Sequence, residues 1–145
     1  MSELLTPKVI LILKTMSKDL SKWYYTRELA KVSKVSLGTV SSEFRKLAKE
    51  GLVLQKIEGQ EKYYKLNLAN SRTRKLCELF EIERKEGFYK ENRRLAWVLE
   101  DFTKRVSDFA PEVQSIILFG SAARSQVTAR SDIDVLVLAP NSEEK

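Results

Sequence analysis

Ser36 to Leu66 reads SLGTVSSEFRKLAKEGLVLQKIEGQEKYYKL, and two periodicities meet inside it. Val40, Phe44, Leu47 and Ala48 recur at the three-to-four spacing of one buried helix face. Ser36 stands before them as a side-chain cap, and Gly51 follows where a helix stops. Thr39, Ser41, Ser42, Arg45, Lys46 and Lys49 fall on the opposite face. After Gly51 the pattern turns strand-like. LVLQKI at 52–57 and YYKLNL at 63–68 are joined by Glu58-Gly59-Gln60-Glu61-Lys62, a polar turn with a glycine in it.

Upstream, Thr6-Pro7 opens a first helix with Pro where a helix tolerates it, and Val9, Ile10, Leu13 and Met16 form its predicted buried stripe. Trp23-Tyr24-Tyr25 is a short β-prone segment, and Thr26 is the predicted cap of a second helix running through Lys34. The order is helix, short strand, helix, turn, helix, hairpin. Residues 26–66 thereby resemble the winged helix-turn-helix domain of prokaryotic transcription regulators, with GTVSSEFRKLAKEGLV at 38–53 the most specific part. The resemblance covers about the first half of the chain. It implies a third helix in the major groove of double-stranded DNA, with Thr39, Ser41, Ser42 and Arg45 facing base edges. It implies phosphate contacts from Lys46, Lys49, Lys56 and Lys62, and pairing into a homodimer that matches two half-sites. The alternative is a winged helix that docks on protein, which the wing acids Glu58 and Glu61 favour.

Charge supports the first reading. Of the net +6, residues 1–70 carry all of the excess, with 13 Lys+Arg against 7 Asp+Glu, and residues 71–145 balance at 13 against 13. That is the electrostatic footprint of a nucleic-acid module joined to one with another task. The chain has no histidine, which excludes Ser-His-Asp chemistry, imidazole bases and His-ligated metals. Its one cysteine, Cys77, excludes an internal disulfide and a thiolate zinc cluster, and reads as a small apolar residue beside Leu76 and Leu79. The aliphatic run Val9 to Leu13 is stopped by Lys14, too short for a membrane span, and no signal-peptide pattern follows. A reducing, cytoplasmic setting is expected.

Asn70-Ser71 is expected to cap a helix beginning near Arg72, with Leu76, Leu79 and Phe80 as its stripe. The stripe lapses at Glu83 to Glu86 and Gly87, and a second runs through Phe88, Leu95, Val98, Leu99, Phe102, Val106 and Phe109 to Pro111. This connector is either a dimerisation element or a cover for the winged helix and the following sheet.

Val113 to Phe119 and Ile133 to Ala139 are nearly unbroken apolar runs of strand length, as in sheets buried on both faces. Gly120-Ser121 follows the first, where a helix starting at Ser121 would aim its N–H groups at an anion. Asp132 and Asp134 lie two apart at the mouth of the second, on one face and roughly 6.5–7 Å apart at Cα, with Ile133 expected in the core. Such a pair suits a hard divalent ion.

Strand, Gly-Ser, ten residues, Asp-Ile-Asp, strand: over Val113 to Pro140 this resembles the nucleotidyltransferase fold of the DNA polymerase β superfamily, closest to its minimal prokaryotic members. The resemblance implies that Gly120 and Ser121 grip the triphosphate of ATP or another NTP and that Asp132 and Asp134 hold Mg²⁺. Arg124 and Arg130 would assist the phosphates. The family's in-line displacement uses a third carboxylate on a further strand. Asn141-Ser142-Glu143-Glu144 reads as the start of a helix, and no acid in a strand context replaces the third carboxylate. A truncated or degenerate domain is expected, its site completed by a protein partner if it turns over.

The expected fold is thus α+β. A winged helix-turn-helix spans 1–70, a helical connector 71–110, and a partial α/β nucleotidyltransferase-like domain 111–145. The expected function is a DNA-binding transcription regulator whose second domain senses nucleotide, docks a partner or supports a dimer. The alternative is a Mg-dependent nucleotidyltransferase, for example an antitoxin-like protein that adenylylates a partner, targeted by its winged helix. A pure protein-interaction module is the third.

Overall fold

The computed structural model describes residues 4–124, 126 and 132–140. The chain divides into two compact units, Met1–Arg84 and Lys85–Lys145, with mixed α and β content.

The first unit opens with α1 (Pro7–Met16), capped by Thr6, whose Oγ1 accepts from the Val9 N–H at 3.3 Å. Val9, Ile12, Leu13 and Met16 are its buried face. Ile12 takes the place expected of Ile10, which is 37% exposed. Both fit an apolar periodicity, and tertiary packing selects the stripe that meets the other helices. β1 (Tyr24–Tyr25) leads straight into α2 (Thr26–Ser33). Thr26 is not the cap: it is already helical, and its hydroxyl donates to the Lys62 carbonyl at 2.8 Å. A long-range carbonyl acceptor wins over the local N–H donors that a cap would serve.

Lys34 closes α2 in the left-handed region at φ 52° and starts the turn into α3 (Leu37–Lys49). Ser36 caps α3 as expected, accepting from the Thr39 N–H at 3.2 Å. Gly51, at φ 72°, ends it, and Asn67 Nδ2 donates to the Gly51 carbonyl at 2.8 Å. Val40, Phe44 and Leu47 are fully buried on the inner face of α3.

The wing is β2 (Val53–Glu58) and β3 (Glu61–Leu66), antiparallel, with the sheet order β1-β3-β2. Its turn is tighter than the five residues expected. Glu58 pairs with Glu61, leaving Gly59-Gln60 alone at the bend, and both strands start or end closer to it. Tyr24 and Tyr64, paired across β1 and β3, point into the core, where the Tyr64 ring lies 5.0 Å from that of Phe44. Burying rings of this size contributes about 2–3 kcal/mol each.

Asn70 Oδ1 accepts from the Arg72 N–H at 2.9 Å and caps α4 (Ser71–Glu91). Phe80 and Thr73 are buried, the latter with its hydroxyl on the Leu52 carbonyl at 2.9 Å. Cys77 packs against the core, and burial pushes its thiol pKa up, as for a small apolar residue. The helix break expected at Glu83 to Gly87 is absent. α4 runs on through Gly87, and the chain breaks instead at Asn92. A glycine costs a helix about 1 kcal/mol, too little to end one of 21 residues.

In the second unit, α5 (Arg93–Phe109) buries Ala96 and Leu99. β4 (Ser115–Phe119) and β5 (Asp134–Leu138) pair antiparallel, with the four-residue α6 (Gly120–Ala123) directly after β4. Burial on both faces is not found. Ile117, Phe119, Leu136 and Leu138 share one face and are exposed, and Ile133 is exposed as well, not in a core. Unbroken apolar runs report a strand's composition; its burial depends on what covers it. Asn141 to Glu144, expected to start a helix, lies outside the described residues.

Candidate nucleic-acid interface and phosphate-binding turn

α3 presents the residues its sequence promised, though not all equally. Ser42, Arg45 and Lys49 are exposed on its outward side, and among the described residues neither cation is in an ion pair. Lys46 is exposed but held by Glu43 at 2.9 Å. Ser41 is half-buried. Thr39 Oγ1 shares a 2.8 Å hydrogen bond with Ser36 Oγ, so its hydroxyl belongs partly to the helix cap. Gly38, in the first turn of α3, would meet nothing within 4 Å if it carried a Cβ. Packing therefore does not require a glycine there, and its smooth backbone faces outward. No sequence signal had singled it out.

The wing separates two lysines that were expected to act together. Lys56 pairs with Tyr63 and Lys62 with Ile57, so strand alternation turns Lys56 and Lys62 to opposite faces. Lys56 is paired with Glu58 at 2.7 Å, and Lys62 is half-buried. Among the expected contacts, Arg45 and Lys49 are the ones presented without a competing acid.

In the second unit, strand pairing accomplishes what spacing alone could not show. Phe119 pairs with Asp134, which brings the residue after β4 beside the first residue of β5. Gly120 takes φ 72°, and a Cβ built on it would lie 2.2 Å from Asp134 Oδ2 and 3.1 Å from its Cγ. The carboxylate thus occupies the space that any side chain at 120 would need. Ser121, half-buried, continues the turn into α6, whose Ala122 is fully buried. Arg124 is exposed and donates from Nε to Gln126 Oε1 at 3.3 Å. Asp132 is exposed just before β5. Arg130 lies outside the described residues. Among the described residues no group of three or more His, Cys, Asp or Glu side chains is gathered to hold a metal. Asp134 held against the Gly120 turn, with Asp132 two residues before it in sequence, would suit Mg²⁺ of the kind that completes its shell with water and phosphate oxygens. Among the described residues no helix is long and apolar enough to cross a membrane.

Residues 99–145 match the model of the nucleotidyltransferase domain family. The matched segment begins within α5 and contains both the Gly120 turn and the two aspartates. No curated protein sequence matches the chain. Two solved structures are similar in trace. One is NadR in complex with 4-hydroxyphenylacetate, 17% identical, covering 73% of this chain and 77% of that one, TM-score 0.49. The other is MepR, a transcription regulator of the Staphylococcus aureus multidrug efflux pump MepA, 19% identical, covering 72% and 80%, TM-score 0.46. The winged-helix assignment stands on the element order and register of the first unit itself. The chain thus joins a unit with the winged-helix element order to a segment, residues 99–145, that is similar to the nucleotidyltransferase domain family.

Proposed function

We propose that the protein is a DNA-binding transcription regulator whose second unit binds a magnesium nucleotide. The observation that carries the first part is the outward side of α3, where Arg45 and Lys49 stand exposed without acidic partners beside Ser42 and the open backbone of Gly38. Arg45 is suited to a bidentate hydrogen bond on a guanine edge, and Lys49 to a phosphate. The concentration of positive charge in residues 1–70 favours the same polyanion.

For the second part, Gly120 and Ser121 would take the phosphates of ATP or another NTP, and Asp132 and Asp134 the Mg²⁺. Magnesium bound there would neutralise phosphate charge and orient the nucleotide. What the chain itself contributes is the half-buried, side-chain-free backbone at Gly120 and a carboxylate held against it. A homodimer matching two half-sites, and a partner that completes the nucleotidyltransferase site, belong to the same proposal.

The test is selection of bound duplexes from a random library, followed by anisotropy titrations of the enriched sequence. Arg45→Ala should weaken binding and Asp132→Asn should not. Failure to enrich any duplex would sink the regulator reading. The second reading, nucleotidyl transfer to a partner protein, is favoured by the family match over 99–145. It requires label transfer from a radiolabelled NTP that Asp134→Asn abolishes.

A further inference from the structure

The wing sheet has a second face, turned away from the core. Register sets Tyr25, Tyr63 and Lys56 in one row across β1, β3 and β2, with Lys65 beside Leu54 in the next. Their chain neighbours Tyr24 and Tyr64 point the other way and are buried. Trp23, by the same alternation, joins the outer row. These three outer rings are half-exposed; Tyr25 and Tyr63 are in contact, and Lys56 links Tyr63 to Trp23. The Tyr25 and Tyr63 centroids are 5.4 Å apart, and Lys56 Nζ stands 5.0 Å from the Trp23 ring centre and 5.1 Å from that of Tyr63. The Arg27 guanidinium lies over Tyr25 at 5.9 Å.

The core accounts for Tyr24 and Tyr64, but it has no use for this second set of rings. We propose that the outer face of the wing sheet is a stacking platform for the unpaired bases of a single-stranded nucleic acid. Flat rings recognise the faces of bases, and a duplex hides those faces, so the occupant is single-stranded. Charge points the same way. Arg27, Lys56 and Lys65 are interleaved with the rings, whereas the acids Glu58 and Glu61 sit opposite each other at the turn end. A phosphate backbone is thereby directed toward the β1 end of the sheet. The Lys56–Glu58 pair is solvent-exposed, so a phosphate displaces Glu58 at little cost. Lys65, among the described residues, is in no ion pair. This surface is separate from α3, and of the duplex contacts expected from the sequence it includes Lys56 alone.

The experiment uses the full chain carrying Trp97→Phe, which leaves Trp23 as its one indole. Its fluorescence is titrated with oligothymidylate and oligouridylate of about ten nucleotides, and with a duplex of equal length. Saturable quenching by a single strand is expected, and the stronger of the two identifies DNA or RNA as the source. Tyr63→Leu should weaken that binding about tenfold. Lys65→Ala should lower the log-affinity against log-salt slope by about 0.7. Arg45→Ala should leave both unchanged. Tyr25→Leu provides the same reading independently should Tyr63→Leu fail to fold. Absence of quenching, equal binding of the duplex, or unchanged affinity in the leucine variants overturns the proposal.

Discussion

A side chain at Gly120 and the carboxylate of Asp134 claim the same space: a Cβ there would sit 2.2 Å from Oδ2. The conflict is with the carboxylate end of Asp134, and the φ of 72° at Gly120 adds backbone strain for any other residue. Gly120→Ala should therefore cost about 1–2 kcal/mol from the backbone alone. It should also drive the Asp134 carboxylate away and abolish Mg-nucleotide binding in calorimetric titrations with ATP and GTP. Adding Asp134→Ala to that variant should restore part of the lost stability and none of the binding. Simple additivity of the two stability changes would count against the clash.

Duplex binding should divide between α3 residues by role. Arg45→Ala is expected to weaken the selected site about 10- to 100-fold and relax preference at one base pair. Lys49→Ala should weaken all duplexes alike and flatten the salt slope by about 2, one contact being lost from each chain, from a starting value near −7 for a dimer with about four phosphate contacts per chain. Competition titrations over a range of salt measure both.

Lys34 holds φ 52° in the turn between α2 and α3, a conformation that disfavours a residue with a Cβ. Lys34→Gly should stabilise the first unit by about 1 kcal/mol. The expected signature is a rise of about 4–8 °C in Tm by circular dichroism. An unchanged or lower Tm would mean that Lys34 makes a compensating contribution through its side chain.

High pH should unfold the first unit earlier than its lysines alone would. Burial pushes the phenol pKa of Tyr24 and of Tyr64 above the usual 10, with Arg45 partly opposing this at Tyr64. The unfolded chain ionises first, so the folded state binds more protons above about pH 10. Stability should be level below pH 10 and fall as pH rises through the raised values. Tyr64→Phe should soften that fall, as followed by melting curves between pH 8 and pH 11.

The first unit was legible because its signals are local. The Ser36 cap, the Gly51 stop and the stripe of Val40, Phe44 and Leu47 lie within one short stretch, and each is found. Misreadings arose where a distant partner decided. Thr26 gave its hydroxyl to Lys62 and Ile12 displaced Ile10, both consequences of elements that meet only in the fold. Gly87 looked like a boundary because the apolar stripe lapsed there, yet a helix can persist after leaving a core. The Gly120 turn and the two aspartates were visible as motifs. The approach of Asp134 to that turn depends on Phe119 pairing with Asp134, and no spacing along the chain specifies a strand partner. The opposed faces of Lys56 and Lys62 follow from alternation once the register is known, which is set by a turn two residues long.

Thr26 has a further consequence for how this sheet finds its alignment. Strand register is ordinarily enforced by chemistry, because a one-residue slip exchanges apolar side chains for polar ones. Here Tyr24-Tyr25 faces Tyr63-Tyr64, and sliding β1 by one position would exchange a tyrosine for a tyrosine. Composition is nearly blind to that error. The hydrogen bond from the buried Thr26 hydroxyl to the Lys62 carbonyl discriminates, because it forms at one offset. Thr26 therefore acts as the detent of a sliding joint, fixing which tyrosine of β1 enters the core and which remains in contact with solvent.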